Sequence, residues 1–168
     1  MTKVLVPVGG PGSHVAVRHV LAEVIKGNPM EIHLLNVQAP FSRHVAQFAS
    51  RKNLAEYHRE QGEKALASAR EILDKHRVPY AVHFALGRRA EVIVETAKRL
   101  RCHHIVMSTA RKNSLTRMLE DSVTNRVLEL TPVPVEVIAG EHVSKLERYG
   151  VPVGVGAAIA ALVLAALD

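Results

Sequence analysis

Five short apolar runs, rich in Val, Ile and Leu, alternate with longer stretches of helical periodicity along most of the chain. Short runs that are apolar on both faces are typical of buried parallel strands, and parallel neighbours need a crossover between them, usually a helix. The alternation predicts an α/β fold, a five-stranded parallel open sheet of the Rossmann-like type with helices on both faces. The predicted strands span residues 3–8, 31–37, 80–86, 104–107 and 133–138.

Between these runs, apolar residues recur at the spacing of a helix. The first helix is predicted to begin at Ser13, a good N-cap residue, and to stop at Gly27 and Pro29. Residues 38–53 show no clean period and are predicted to form a long, partly helical connection. The other helices are predicted at residues 54–77 and 90–101, and from Asp121 or Ser122 onward.

The composition of the chain limits which classes of partner are expected to bind it. The formal net charge of +6 is compatible with nucleic acid, an anionic membrane surface or a phosphorylated ligand. Aromatic residues make up only 4% of the chain and Trp is absent, which argues against a stacking platform, so no nucleic-acid partner is predicted. The single cysteine, Cys102, excludes an internal disulfide and is typical of a reducing cytosol.

Three segments occur in an order and spacing that belong to a known pattern. They read VLVPV before a glycine turn, then ALGRRAEVIVETAKRLRCHHIVMST, then SVTNRVLELTPVPVEVI. Together they resemble the universal stress protein family, over residues 3–140. The resemblance implies the same five-stranded sheet that the periodicity predicts. It also implies a role in the stress response and dimerisation through the last strand.

The chain departs from the ATP-binding members of that family. The resemblance implies an Asp directly after the first strand, where this chain has Gly9, and a G-x-x-G-x9-G-[ST] loop after the fourth strand. The three glycine positions of that loop fall on Ser108, Arg111 and Asp121, and only Ser122 keeps the last position.

These replacements disfavour a triphosphate. Glycine permits positive φ and close approach of the backbone to phosphate oxygens, and Arg111 does not. Asp121 brings a carboxylate to the place of the phosphate, where like charges at ~4 Å and an effective dielectric of about 20 repel by ~4 kcal/mol. ATP binding of the usual kind is therefore not predicted, and no cofactor is expected.

Nucleotide binding through a degenerate site is the alternative. Arg111, Lys112 and Arg117 would then hold an anion as point charges, whereas a solvated basic loop is the simpler interpretation. The resemblance places ATP on a set of cofactor-binding residues that includes the backbone of Val37. The full set is Gly9, Val37, Ser108, Arg111, Lys112 and Ser122.

No catalytic or metal-binding constellation stands out in the sequence. Cys102, His103 and His104 are adjacent, but neighbouring strand residues point to opposite faces and do not readily share one ion. His33 and His83 fall on separate strands, and G-x-S-x-G, Walker and H-E-x-x-H motifs are absent. The protein is therefore predicted to be a regulatory stress-response module, neither an enzyme nor a metalloprotein.

The last strand is predicted to lie at an edge of the sheet. An apolar edge strand is an open template for pairing. The predicted contacts of a homodimer are Val133, Val135 and Val137, while Pro134 limits the backbone donors. The alternative is an edge that the C-terminal tail shields.

The chain closes with a charged connector, residues 141–149, and a hydrophobic tail, residues 150–168, in which 18 consecutive residues carry no charge. A helix of that length spans ~27 Å, just short of a ~30 Å hydrocarbon core. The tail is predicted to be a transmembrane helix that anchors a cytoplasmic domain, residues 1–140, to a bacterial inner membrane. Lys145 and Arg148 favour this orientation. The alternative is a soluble cytoplasmic protein on which the tail packs.

Overall fold

Strands and helices alternate through the computed structural model, which describes residues 1–9, 12–42, 48, 50–109 and 123–139. The elements in chain order are β1 (Thr2–Val8), α1 (Ser13–Ile25), β2 (Met30–Gln38), α2 (Arg51–Lys75), β3 (Tyr80–Leu86), α3 (Arg89–Leu100), β4 (His104–Thr109), α4 (Val123–Leu130) and β5 (Val135–Ala139).

The strands form one parallel sheet in the order β3-β2-β1-β4-β5. This confirms the predicted five-stranded parallel architecture. The strand order reverses between β1 and β4. In open α/β sheets, ligands bind beyond the carboxyl ends of the strands at such a reversal.

Each face of the sheet has its own hydrophobic core, because successive residues of a strand point to opposite sides. Val4 and Val6 of β1 pack with Leu66 of α2 in the core beneath α1 and α2. Leu5 packs with Ile93 of α3 in the core beneath α3 and α4. Full burial of such a side chain contributes roughly 1.5–3 kcal/mol, so the central strand depends on both helical layers.

Two helix starts differ from the predictions. Gly12, not Ser13, is the N-cap of α1, because its φ of +75° is left-handed and suits glycine. Helix α2 begins earlier than predicted, at Arg51. Ser50 caps it, since its Oγ accepts a hydrogen bond from the amide of Asn53 at 3.1 Å.

No helix in the described ranges is both long enough and apolar enough to cross a bilayer. The predicted connector, residues 141–149, and the predicted helical tail, residues 150–168, lie outside those ranges. The membrane anchor therefore stays a prediction from the sequence.

Two histidines that belong to separate strands meet between β2 and β3. Nδ1 of His33 lies 2.9 Å from Nε2 of His83. The other ring nitrogen of His33 bonds Oε1 of Glu31 at 2.9 Å, and Glu31 also pairs with Lys3. Burial, together with the charges of His33 and Arg99, lowers the pKa of His83. His83 is therefore neutral near pH 7.

Stability is expected to fall as the pH falls below about 6.5. The unfolded chain protonates histidine near that pH, whereas the lowered pKa of His83 makes the folded protein resist protonation until the pH is lower. The free energy of unfolding in urea should therefore decrease between about pH 7.5 and about pH 5.5, and less so in His83→Gln. His76→Gln, which removes an exposed histidine, is the control. Equal pH dependence in His83→Gln and the unmodified chain would contradict the assignment.

Candidate functional site

The crevice at the carboxyl ends of β1 and β4 is built by two serines and two glycines. Oγ of Ser108 donates to the carbonyl oxygen of Gly12 at 2.7 Å. The amide of Gly9 donates to Oγ of Ser13 at 3.4 Å. Gly9 and Ser108, two of the predicted cofactor-binding residues, therefore lie on opposite sides of the strand reversal.

A network of hydrogen-bonded polar side chains, which the sequence did not predict, joins β1, β2 and α2. Nδ2 of the buried Asn36 donates to the carbonyl oxygen of Val8 at 2.9 Å, and Oδ1 accepts from Nε2 of Gln38 at 3.0 Å. Gln38 also donates to the carbonyl oxygen of His58 at 2.7 Å, and its Oε1 lies 2.8 Å from Nδ1 of His58. Because an amide oxygen only accepts, Nδ1 of His58 carries the proton.

Asn36 occupies the space beside Gly9. Gly9 has a φ of +114°, and a Cβ added to it would lie 2.6 Å from Nδ2 of Asn36. Asn36 has little freedom to yield, since it is buried and bonded to Val8 and Gln38. A carboxylate at position 9, as the resemblance implies for ATP-binding relatives, would require both a different backbone conformation and a displaced Asn36.

Of the other predicted nucleotide-binding residues, the structure describes only Val37. Val37 pairs with Ala85 of β3, and its side chain is buried in the core beneath α3 and α4, so only its backbone remains for a ligand. Arg111, Lys112 and Ser122 lie outside the described residues, as do Arg117 and Asp121. Their predicted roles remain predictions.

Cys102, His103 and His104 have different surroundings in the structure. Burial raises the pKa of the Cys102 thiol, and Nδ1 of His103 accepts a hydrogen bond from the amide of Lys3 at 2.9 Å. Burial also lowers the pKa of His104. In the part of the chain that the structure describes, no three His, Cys, Asp or Glu side chains are arranged to hold a metal ion.

The β5 edge matches the predicted dimer contacts only in part. β5 is an edge strand, but Val133 precedes it, and the amide of Val133 donates to Oγ1 of Thr131 at 3.0 Å. Val133 and Val135 pack against the core beneath α3 and α4. Val137, with an exposed fraction of 40%, is therefore the most exposed of the predicted dimer contacts.

Comparisons with known proteins agree with the fold and place the chain in a family. The model of the Universal stress protein family matches residues 1–139. The chain therefore belongs to the universal stress protein family. Universal stress protein MJ0531 of Methanocaldococcus jannaschii is 29% identical over 139 residues, which are 81% of either chain.

Two solved structures show the same fold. The hypothetical protein MJ0577 superposes with a TM-score of 0.65 at 23% identity, covering 84% of this chain and 97% of its own. The universal stress protein family protein At3g01520 of Arabidopsis thaliana, solved with AMP bound, gives a TM-score of 0.61 at 19% identity over 84% of this chain and 93% of its own.

Substitution of Gly9 tests the contact with Asn36. Gly9→Ala is expected to cost roughly 1–2 kcal/mol for the left-handed backbone and about 1–3 kcal/mol more for overpacking against Asn36. Gly27→Ala is the matched control, since Gly27 has a φ of +95° and nothing lies within 4 Å of its added Cβ. Urea unfolding of both variants measures the difference. Equal losses would show that Asn36 does not restrict position 9.

Proposed function

We propose that the protein is a non-catalytic regulatory module of the stress response that does not hold ATP in the manner of its ATP-binding relatives. The packing of Asn36 beside Gly9 is the observation that carries the proposal. It leaves no room for the carboxylate that the family resemblance implies after β1. The amide of Asn36 is committed to Val8 and Gln38.

The hydrogen bonds of the serine hydroxyl groups in the crevice support a non-catalytic role. A serine nucleophile needs a neighbouring base that accepts its proton. Ser108 instead donates to the backbone oxygen of Gly12, and Ser13 accepts from the backbone of Gly9. His58 is oriented by Gln38, within the hydrogen-bonded group that ties β2 to α2. We therefore assign the crevice to binding or regulation.

Nucleotide binding through a degenerate basic loop is the second candidate. The Arabidopsis relative has AMP bound. The first turn of α1 carries no acidic side chain and no side-chain cap, so no carboxylate there would repel an anion at the positive end of the helix. In this case Arg111, Lys112 and Ser122 would bind phosphates, and the backbone of Val37 would bind the base.

Titration with fluorescent ATP distinguishes the two candidates. The full-length protein in non-ionic detergent is expected to show no saturable binding at micromolar ATP, because it lacks the carboxylate and the glycine cradle that a triphosphate needs. Arg111→Ala should give the same flat titration. Saturable binding that Arg111→Ala abolishes would overturn the first candidate and establish the second.

The proposed module is a homodimer formed through β5. The exposed Val137 on the edge strand β5 supports this interface, since an apolar side chain on an edge strand favours pairing. The interface is tested together with the opposite edge of the sheet below.

The proposed anchor is the C-terminal tail, which would hold the domain at the cytoplasmic face of the membrane. A carbonate wash of isolated membranes is expected to leave the full-length protein in the membrane fraction. Leu162→Arg should release it, because a charge at the middle of a span costs about 2.5–3.5 kcal/mol. Leu162→Ile, which preserves hydrophobicity, is the control. Release of the unmodified protein would favour the soluble alternative.

A further inference from the structure

Strand β3 forms the edge of the sheet opposite β5 and carries no charge to protect it. Its seven residues read YAVHFAL. Phe84 and Leu86 are exposed to 47% and 54%. Natural edge strands are usually blunted by charged side chains, proline or a bulge, and this strand contains neither a charged side chain nor proline.

In the described ranges, no strand pairs with the outer edge of β3. Helix α2 packs against β1 and β2. It meets β3 at Gly62, where an added Cβ would lie 2.5 Å from Cε1 of Phe84. Phe84 therefore lies close against the backbone of α2 with its outer side in solvent. Leu86 follows on the same face, because alternate residues of a strand share a face.

His83, at the middle of β3, does not add a protecting charge at neutral pH. It faces His33 on β2 at 2.9 Å and feels the charge of Arg99 on α3. Burial and these neighbours lower its pKa. The strand is therefore neutral along its whole length near pH 7.

The β5 edge differs in this respect. Glu136 lies in the middle of β5 and is partly exposed, and its Oε1 pairs with Nε2 of His19 at 2.8 Å. Pro134 directly precedes the strand and cannot donate a backbone hydrogen bond. Of the two edges, β3 is the one with less protection against pairing.

The sequence of β3 is complementary to itself in the antiparallel sense. With a two-fold axis at His83, Tyr80 lies opposite Leu86 of the second copy, Ala81 opposite Ala85, and Val82 opposite Phe84. Every pair away from the axis is apolar, and aromatic residues meet branched aliphatic ones, a pairing that stabilises sheets. A two-fold contact of this kind uses the same patch on both molecules and closes on itself.

We propose that a second copy of this chain pairs with β3 in antiparallel register about His83, extending the sheet across two molecules. A strand pair with few flanking contacts buries less than the ~800 Å² per partner of a standard interface, so the association is weak and depends on protein concentration. This contact is separate from the β5 dimer proposed above and does not require it.

Light scattering of the full chain in non-ionic detergent, measured across protein concentrations, distinguishes pairing at β3 from pairing at β5. The chains compared are the unmodified protein, Leu86→Lys, Val137→Lys and the double variant. The unmodified chain is expected to form tetramers or larger species as the concentration rises, because under both proposals each edge pairs with another copy. Leu86→Lys should leave dimers joined through β5, Val137→Lys should leave dimers joined through β3, and the double variant should be a monomer. Ile25→Lys replaces an exposed apolar residue of α1 and should change nothing.

The outcomes of the two proposals differ. If Leu86→Lys leaves the mass of the assembly unchanged, β3 does not pair. If Leu86→Lys yields monomers while Val137→Lys has no effect, β3 pairs and the β5 dimer is wrong. A monomeric unmodified chain at every concentration overturns both.

Cross-linking gives a readout that does not rely on the stability of the Lys variants. In a chain with Cys102→Ser, Tyr80→Cys and Leu86→Cys, residues 80 and 86 of two copies should form an intermolecular disulfide under mild oxidation, because opposed residues of antiparallel strands lie within disulfide reach. Val78→Cys in place of Tyr80→Cys shifts the cysteine out of register and should cross-link less. Equal cross-linking of both pairs would overturn the proposed register.

Discussion

The hydrogen bond from Asn36 to the carbonyl oxygen of Val8, at 2.9 Å, determines the form of the crevice. It holds together the carboxyl ends of β1 and β2. Both helical layers pack on β1, one on each face. Because the amide is buried and also bonded to Gln38, moving it would leave polar atoms unsatisfied at a cost of roughly 1–3 kcal/mol. This bond also explains why glycine occupies position 9, since Asn36 fills the space that a Cβ there would need.

In the described ranges, the polar side chains at the crevice bond one another or the backbone, while β3 and β5 each have a partner strand on one side only. The serine hydroxyls bond the backbone, and the Asn36, Gln38 and His58 groups bond one another. Apolar side chains at both edges, Val137 on one and Leu86 on the other, remain exposed. A protein built this way is suited to contacts with other polypeptide chains, which agrees with the proposed regulatory role.

The sequence predicted the strands and helices because their signals are local. Runs of Val, Leu and Ile, and apolar residues at helical spacing, identify strands and helices without any knowledge of their neighbours. The N-cap at Gly12 was missed because Ser13 is the more common cap, and only the backbone angle decides between them. Val133 was assigned to β5 because the apolar pattern continues past the actual start of the strand.

The hydrogen bonds between polar side chains of the site could not be predicted from the sequence, for a different reason. Gln38 and His58 come together only when α2 packs over β2, and His33 meets His83 only because β3 lies beside β2. Neither contact leaves a motif of fixed spacing. The departures at Gly9 and Ser108, by contrast, were visible from the family resemblance alone.

The proposal that the crevice does not hold ATP in the manner of the ATP-binding relatives is tested most directly by native mass spectrometry of the full-length protein purified without added nucleotide. We expect a mass equal to that of the polypeptide or to a whole multiple of it, with no adenine nucleotide released on denaturation. ATP retained at one molecule per chain would contradict it.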